Sequence, residues 1–235
     1  MNILSNLETY LKDFDFDFEI DTFRIDFIKT NKKKKLDLIG SWKRINKPNH
    51  YLMLKLKRRY TVEEITTVHQ LENHNIYYYN SRKKDYKFAT MVIFGLKQYH
   101  KPPPPPEIVS KILSILKGVH SVDICYDIKS IPNFEALREF FYLQRYKRED
   151  TYYINDTNIL MMDKICIYNK AKKNKLDGTL WRIEASISIP NYKLLALPIY
   201  DFMQIINLLN GSFYKYRDNE IKNLYKRVLN GEFFG

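Results

Sequence analysis

The stretch Ser121-Val-Asp-Ile-Cys-Tyr-Asp-Ile128 alternates apolar and polar residues with period two, the pattern of a half-buried β-strand. Val122, Ile124, Tyr126 and Ile128 then share one side, and Asp123, Cys125 and Asp127 share the other. The same alternation returns in Asp163–Lys170 and in Thr179–Ser188. Their polar sides hold Lys164, Cys166 and Tyr168 in the former, and Arg182, Glu184 and Ser186 in the latter. Side by side in one sheet, these strands would gather carboxylates, a tyrosine and cations on a single face.

Reading outward from these strands, the pattern is α+β. Asn2–Lys12 fits a short amphipathic helix. Asp13–Asp21 alternates acids with Phe14, Phe16, Phe18 and Ile20, as an extended segment with one solvated face. Thr22–Thr30 reads as a strand and Asn31–Lys35 as an exposed basic turn. His50–Arg58 is expected as a strand, and Thr61–Leu71 as a helix in which Thr61 and Glu64 form a capping box. Asn75–Tyr79 and Lys87–Gly95 are strands around the turn Asn80–Asp85. Pro102–Pro106 must be extended polyproline, roughly 15 Å long, leading into a helix at Glu107–Lys117. Asn133–Glu149 is expected to be helical, and Thr151–Asn155 and Asn158–Met162 to form a hairpin. Ala171–Gly178 is a lysine-rich connection, and helices follow near Ile199–Leu209 and Asp218–Leu229. The expectation is one domain over residues 1–190, a mainly antiparallel central sheet with helices on one face. A helical C-terminal extension, 191–235, would pack on the same domain.

The 235 residues carry a net charge of +12, which points to a polyanionic partner, nucleic acid first. Codon bias towards Lys, Asn, Ile and Tyr is the competing source of that charge. Its clusters are Lys32, Lys33, Lys34 and Lys35; Arg58 and Arg59; Arg82, Lys83 and Lys84; Arg145, Lys147 and Arg148; and Lys172 and Lys173. With 19 Tyr and 14 Phe there are rings to stack on unpaired bases, although most are expected in the core. Seven glycines and no GxGxxG or GxxxxGK[ST] pattern exclude the common phosphate loops. The two cysteines, Cys125 and Cys166, fit a reducing compartment and make no zinc site. With neither a signal peptide nor an apolar run of about 18 residues, a cytoplasmic protein with no membrane partner is expected.

Residues four apart on a strand are separated by about 13 Å, so Asp123 and Asp127 cannot share one ion on a regular strand. Either one paired with Glu184 from a neighbouring strand is the better ligand set. Oxygen-only ligands favour Mg²⁺ or Mn²⁺. A tyrosine has an ordinary pKa of about 10 and needs a nearby cation to become a nucleophile. Lys164, Lys170 and Arg182 are the candidates beside Tyr168. Attack on a phosphodiester would leave a phosphotyrosine link, which conserves the bond for rejoining. The plain alternative is a solvated strand face with an Arg182–Glu184 surface pair of small value. Histidines at 50, 69, 74, 100 and 120 form no His-apolar-His triplet.

The order Ile93-Phe-Gly95, a helix, Val122-Asp-Ile-Cys-Tyr-Asp127, Ile167-Tyr-Asn-Lys170 and Trp181-Arg-Ile-Glu184 resembles the replication initiators of rolling-circle plasmids and filamentous phages, and the related relaxases. The resemblance spans roughly residues 87–190. It implies a sheet like that of the HUH endonucleases, with carboxylates in place of the histidine pair. The implied activity is metal-dependent nicking of one DNA strand at an origin, single-stranded or locally melted, with a host helicase and polymerase as further partners. On this pattern Asp123 and Glu184 would hold the metal, with Asp127 a weaker ligand. Tyr168 would be the nucleophile, and Lys170 and Arg182 would flank the phosphate. The chain departs from the pattern where His120-Ser121 replaces an arginine, and where Asn158–Asp163 replaces a glycine-serine turn. Two other readings stay open: a non-catalytic nucleic-acid-binding regulator of a plasmid or virus, and an interaction factor using the polyproline and acidic stretches.

Overall fold

The computed structural model describes residues 17–30, 32–57, 61–82, 87–98, 102–116, 118–146, 150–159, 161–189 and 196–212. The chain forms two compact units. Among the described residues, the first comprises 21–121 and the second 17–20 with 122–212. The helices expected at Asn2–Lys12 and Asp218–Leu229, and most of the acidic stretch, lie outside the described residues.

The first unit takes β1 (Glu19–Ile28) from Asp21 onward, then α1 (Lys32–Ile39), β2 (Trp42–Ile45), α2 (His50–Leu56), β3 (Ile65–Leu71), β4 (Ile76–Ser81), β5 (Phe88–Ile93) and α3 (Pro106–Ile115). Its strands run in the order β2-β3-β4-β5-β1, each antiparallel to its neighbour. Three local expectations fail here for physical reasons. The lysine run is the start of helix α1, because Leu36 and Ile39 bury one side and the Trp42 indole donates to the Leu36 carbonyl at 3.0 Å. His50–Leu56 is a helix and not a strand. Leu52, Met53 and Leu56 fit helical spacing as well as alternation, and Asn49 settles the choice by accepting from the Leu52 amide at 2.8 Å. These three side chains pack on Val68, Tyr79 and Val92. Ile65–Leu71 is a strand and not a helix. The capping contact forms, Thr61 N–H to the Glu64 carboxylate at 2.9 Å, yet it closes only a single turn. The β-branched run Ile-Thr-Thr-Val then finds pairing partners on both sides, β2 and β4.

The second unit contains β6 (Val119–Ile128) from Val122 onward, α4 (Phe134–Arg138), β7 (Gln144–Tyr146), β8 (Thr151–Ile154), β9 (Met162–Asn169), α5 (Lys170–Asn174), β10 (Trp181–Ser188) and α6 (Ala196–Leu209). Its strands run β6-β10-β9-β8-β7. The helix expected over Asn133–Glu149 stops at Arg138, and three of its residues instead form the edge strand β7. The lysine-rich connection opens with the short helix α5, capped by Asn169 and ended by Lys175 at φ 54°. Phe134 of α4 meets the rings of Tyr152 and Trp181, and Phe202 of α6 meets Phe18, which in turn touches Tyr126. Both helices therefore cover the apolar side formed by Ile124, Ile183, Ile167 and Tyr152. The chain is α+β with antiparallel sheet, as its alternation implies.

Candidate active site

Register turns the alternation of separate segments into one surface. On β9 and β10, Tyr168 lies opposite Arg182, Cys166 opposite Glu184, and Lys164 opposite Ser186. Directly opposed residues project from the same side of a sheet, so all six share a face. Asp127 and Asp123 of β6 join it, because they bond to Arg182 and Ser186 respectively. Thr151 and Tyr153 of β8, opposite Tyr168 and Cys166, extend it outward, and Gln144 and Tyr146 of β7 complete it.

Arg182 is 1% exposed and grips Asp127 with two parallel bonds, Nε to Oδ1 at 2.6 Å and Nη2 to Oδ2 at 2.8 Å. Glu19 lies 3.9 Å from the same guanidinium, and the buried Lys170 ammonium is 3.5 Å from Asp127 Oδ2. Burial works against the charge of Arg182, but the hydrogen bonds and charge of Asp127, with Cys125 and Tyr168, outweigh it and raise its pKa. For Lys170 the balance goes the other way: burial, then the Arg182 charge, lower its pKa despite Asp127. Both oxygens of Asp127 thus serve protein cations, which makes this residue the anchor of the cationic row.

The Tyr168 hydroxyl donates to Glu184 Oε1 at 2.6 Å, and the Lys173 ammonium sits 4.3 Å from the centre of its ring. Ser186 Oγ donates to Asp123 Oδ1 at 2.7 Å. Asp123 and Glu184 stand on the same face of neighbouring strands, β6 and β10. Among the described residues no three His, Cys, Asp or Glu side chains stand close enough to hold an ion by themselves. Two carboxylates are nevertheless the number that Mg²⁺ commonly takes from a protein when phosphate and water complete its shell. The oxygen-only donor set fits that ion. Cys166 does not compete as ligand or nucleophile, since burial, reinforced by Glu184, pushes its thiol up to about 12.

The structure therefore brings together Asp123, Asp127, Tyr168, Lys170, Arg182 and Glu184. Lys164 is not at Tyr168; its ammonium lies 4.0 Å over the Tyr153 ring. Alternation places Ser186 on this face without a partner, which the structure supplies as Asp123; Lys173, expected to meet nucleic acid, stands over the Tyr168 ring. The expected nucleic-acid contacts divide between the units. Lys32, Lys33, Lys34, Lys35 and Arg82 belong to the first, with Lys33, Lys34 and Arg82 exposed. Arg145, Lys172 and Lys173 are exposed in the second, where Asp150 pairs with Lys172 at 2.9 Å and Arg145 at 3.4 Å. The bond from Lys172 chiefly holds the Asp150 carboxyl below its usual range. Arg58, Arg59, Lys83, Lys84, Lys147 and Arg148 lie outside the described residues. No described helix is long and apolar enough to cross a membrane.

The sequence matches no family model and no curated protein. Among solved structures, the chain is similar to a rolling circle replication initiator protein from Geobacillus stearothermophilus. The identity is 10% and the TM-score 0.47, over 92% of this chain and 96% of that one.

Proposed function

We propose that this protein nicks and rejoins one strand of DNA at a replication origin, with Tyr168 as the nucleophile. The observation that carries the reading is the 2.6 Å bond from the Tyr168 hydroxyl to Glu184, on a face that also holds Asp123 and a row of cations. The motif resemblance of Val122–Asp127, Ile167–Lys170 and Trp181–Glu184 supports it independently of the geometry.

Glu184 accepts the phenolic proton as Tyr168 Oη bonds to phosphorus. The bond from phosphorus to the 3′ oxygen breaks, and that oxygen leaves as a 3′-hydroxyl after taking a proton from solvent. The 5′ phosphate stays on Tyr168. In the reverse direction the 3′-hydroxyl gives its proton to solvent as its oxygen bonds to phosphorus, the bond from phosphorus to Tyr168 Oη breaks, and Tyr168 recovers its proton from Glu184. Lys173 over the ring and Arg182 opposite it in register favour the developing phenolate. The Arg182–Asp127 pair holds that part of the sheet rigid. A Mg²⁺ or Mn²⁺ held by Asp123 and Glu184 would supply positive charge to the phosphate oxygens. The freed 3′-hydroxyl suits extension by a host polymerase working with a helicase.

The test is incubation of the full chain with labelled single-stranded oligonucleotides tiling a replicon, with and without Mn²⁺, on a denaturing gel. A protein-linked fragment is expected from the native chain and none from Tyr168→Phe. A persisting adduct in Tyr168→Phe would move the nucleophile to Tyr153, which shares the face. Tyr152 points into the apolar side. The second reading, a binding protein without catalysis, draws on Tyr168 being only 9% exposed. Retarded but uncut DNA across all oligonucleotides would establish it.

A further inference from the structure

We propose that β7 and β8 form a stacking platform for unpaired bases, beside the candidate active site and on the same face. The proposal rests on the reading that this face takes DNA, and names the side chains that hold the strand next to the phosphate.

Tyr146 is opposite Thr151, and Tyr153 is opposite Cys166, which is opposite Glu184. The rows therefore run from the carboxylates out to the sheet edge. Adjacent strands are about 4.8 Å apart, so β7 lies about 14 Å from β10 across the sheet. Along this path the Tyr146 and Tyr153 rings meet edge to face, with centroids 5.5 Å apart at 79°. Lys164 caps the Tyr153 ring at 4.0 Å. Tyr146 is 58% exposed, and Tyr142 just before the strand is 85% exposed. At these exposures the rings bury little apolar area, so the short edge strand gains little in folding from them.

The occupant follows from the chemistry. Rings offered to solvent on a surface that also presents Lys164 and Lys173 suit a ligand with flat apolar faces strung on a polyanion. Duplex DNA hides its base faces, so the ligand is single-stranded. Stacking tolerates any base, whereas the cations read phosphate. The two contributions separate by salt: ring removal weakens binding without changing its salt dependence, and cation removal lowers that dependence.

The experiment measures fluorescence anisotropy of a labelled oligo(dT) against salt, using the full chain carrying Tyr168→Phe so that nothing is cut. Tyr146→Ala is expected to weaken binding about tenfold with the salt slope unchanged. Tyr146→Trp should restore it. Lys164→Ala should reduce the slope by about one. Binding of duplex DNA should not respond to Tyr146→Ala. Native affinity in Tyr146→Ala, an equal loss for duplex, or no oligo(dT) binding at all would overturn the platform. So would a change confined to oligomeric state, which would make the edge a contact between copies of this chain. Absence of nicking by the native chain together with the tenfold loss would sink the catalytic reading and leave the platform standing.

Discussion

The two units use the same kind of antiparallel sheet in opposite ways. In the first, α1 lies against Tyr78 and Trp42 on one side of the sheet, while α2 packs on Val68, Tyr79 and Val92 on the other. Its polar groups are spent on holding that packing. Lys32 donates to Asn80 at 2.9 Å, Thr90 to Asp26 at 2.8 Å, and the Tyr79 hydroxyl to the Leu56 carbonyl at 2.9 Å. In the second, α4 and α6 both lie on the apolar side, and the other side gathers Asp123, Asp127, Lys164, Cys166, Tyr168, Arg182, Glu184 and Ser186 from β6, β9 and β10. Apolar packing on both sides of a sheet gains stability from area, whereas a side lined by ionisable groups can present chemistry. The contrast explains why the candidate site belongs to the second unit although both are rich in lysine and tyrosine.

The largest expected effect is on the charged row. Arg182→Ala leaves the Asp127 carboxylate, 21% exposed, without its guanidinium, and should cost about 3–5 kcal/mol. Hydrogen exchange should speed up in β9 and β10. The double variant Arg182→Met with Asp127→Asn should recover only part of the loss, because the buried Lys170 ammonium then loses the Asp127 carboxylate. Leu56→Ala in the first unit should cost about 2–5 kcal/mol through the cavity it leaves. Its faster exchange should be confined to β3, β4 and β5. Equal effects of either variant in both units would break the comparison.

Two smaller effects sharpen it. A Cβ on Gly118 would run into the Asp26 carbonyl, which accepts no room for it beside the bond from Asp26 N–H to the Gly118 carbonyl at 2.8 Å. Gly118→Ala should cost about 1–3 kcal/mol, read by urea denaturation. On α6, burial pushes the Asp201 carboxyl up to about 6 from 3.8. The folded state then binds this proton more tightly than the unfolded chain, so stability is full below pH 3.8 and falls as pH rises to about 6. Asp201→Asn should gain about 1–2 kcal/mol at pH 7 and nothing at pH 3. A gain at pH 3 as large as that at pH 7 would remove burial of the charge as its cause.

Much of the site was legible because a strand pattern carries its own orientation. Asp123, Asp127, Tyr168, Arg182 and Glu184 each sit at odd or even positions that alternation assigns to the polar side, with no need to know the partner strands. The segment His50–Leu56 was not legible in that way. Its leucines and methionine satisfy both periods, and a single cap at Asn49 tips the balance. Ile65–Leu71 failed for the converse reason, since a genuine local signal at Thr61 and Glu64 was overruled by pairing with two distant strands. Lys170 was legible as a cation but not as one that is 2% exposed.

Sequence alone was sufficient for the α+β class, the polar and apolar sides of β6, β9 and β10, and the basic character of the surface, because these depend on local periodicity and charge. Only the folded chain assigned partners. Asp127 went to Arg182 and Lys170, Asp123 to Ser186, and Tyr168 to Glu184 and Lys173. Which strand lies beside which, and in what register, is a long-range choice, and a shift of one residue would have sent every one of these side chains to the opposite face.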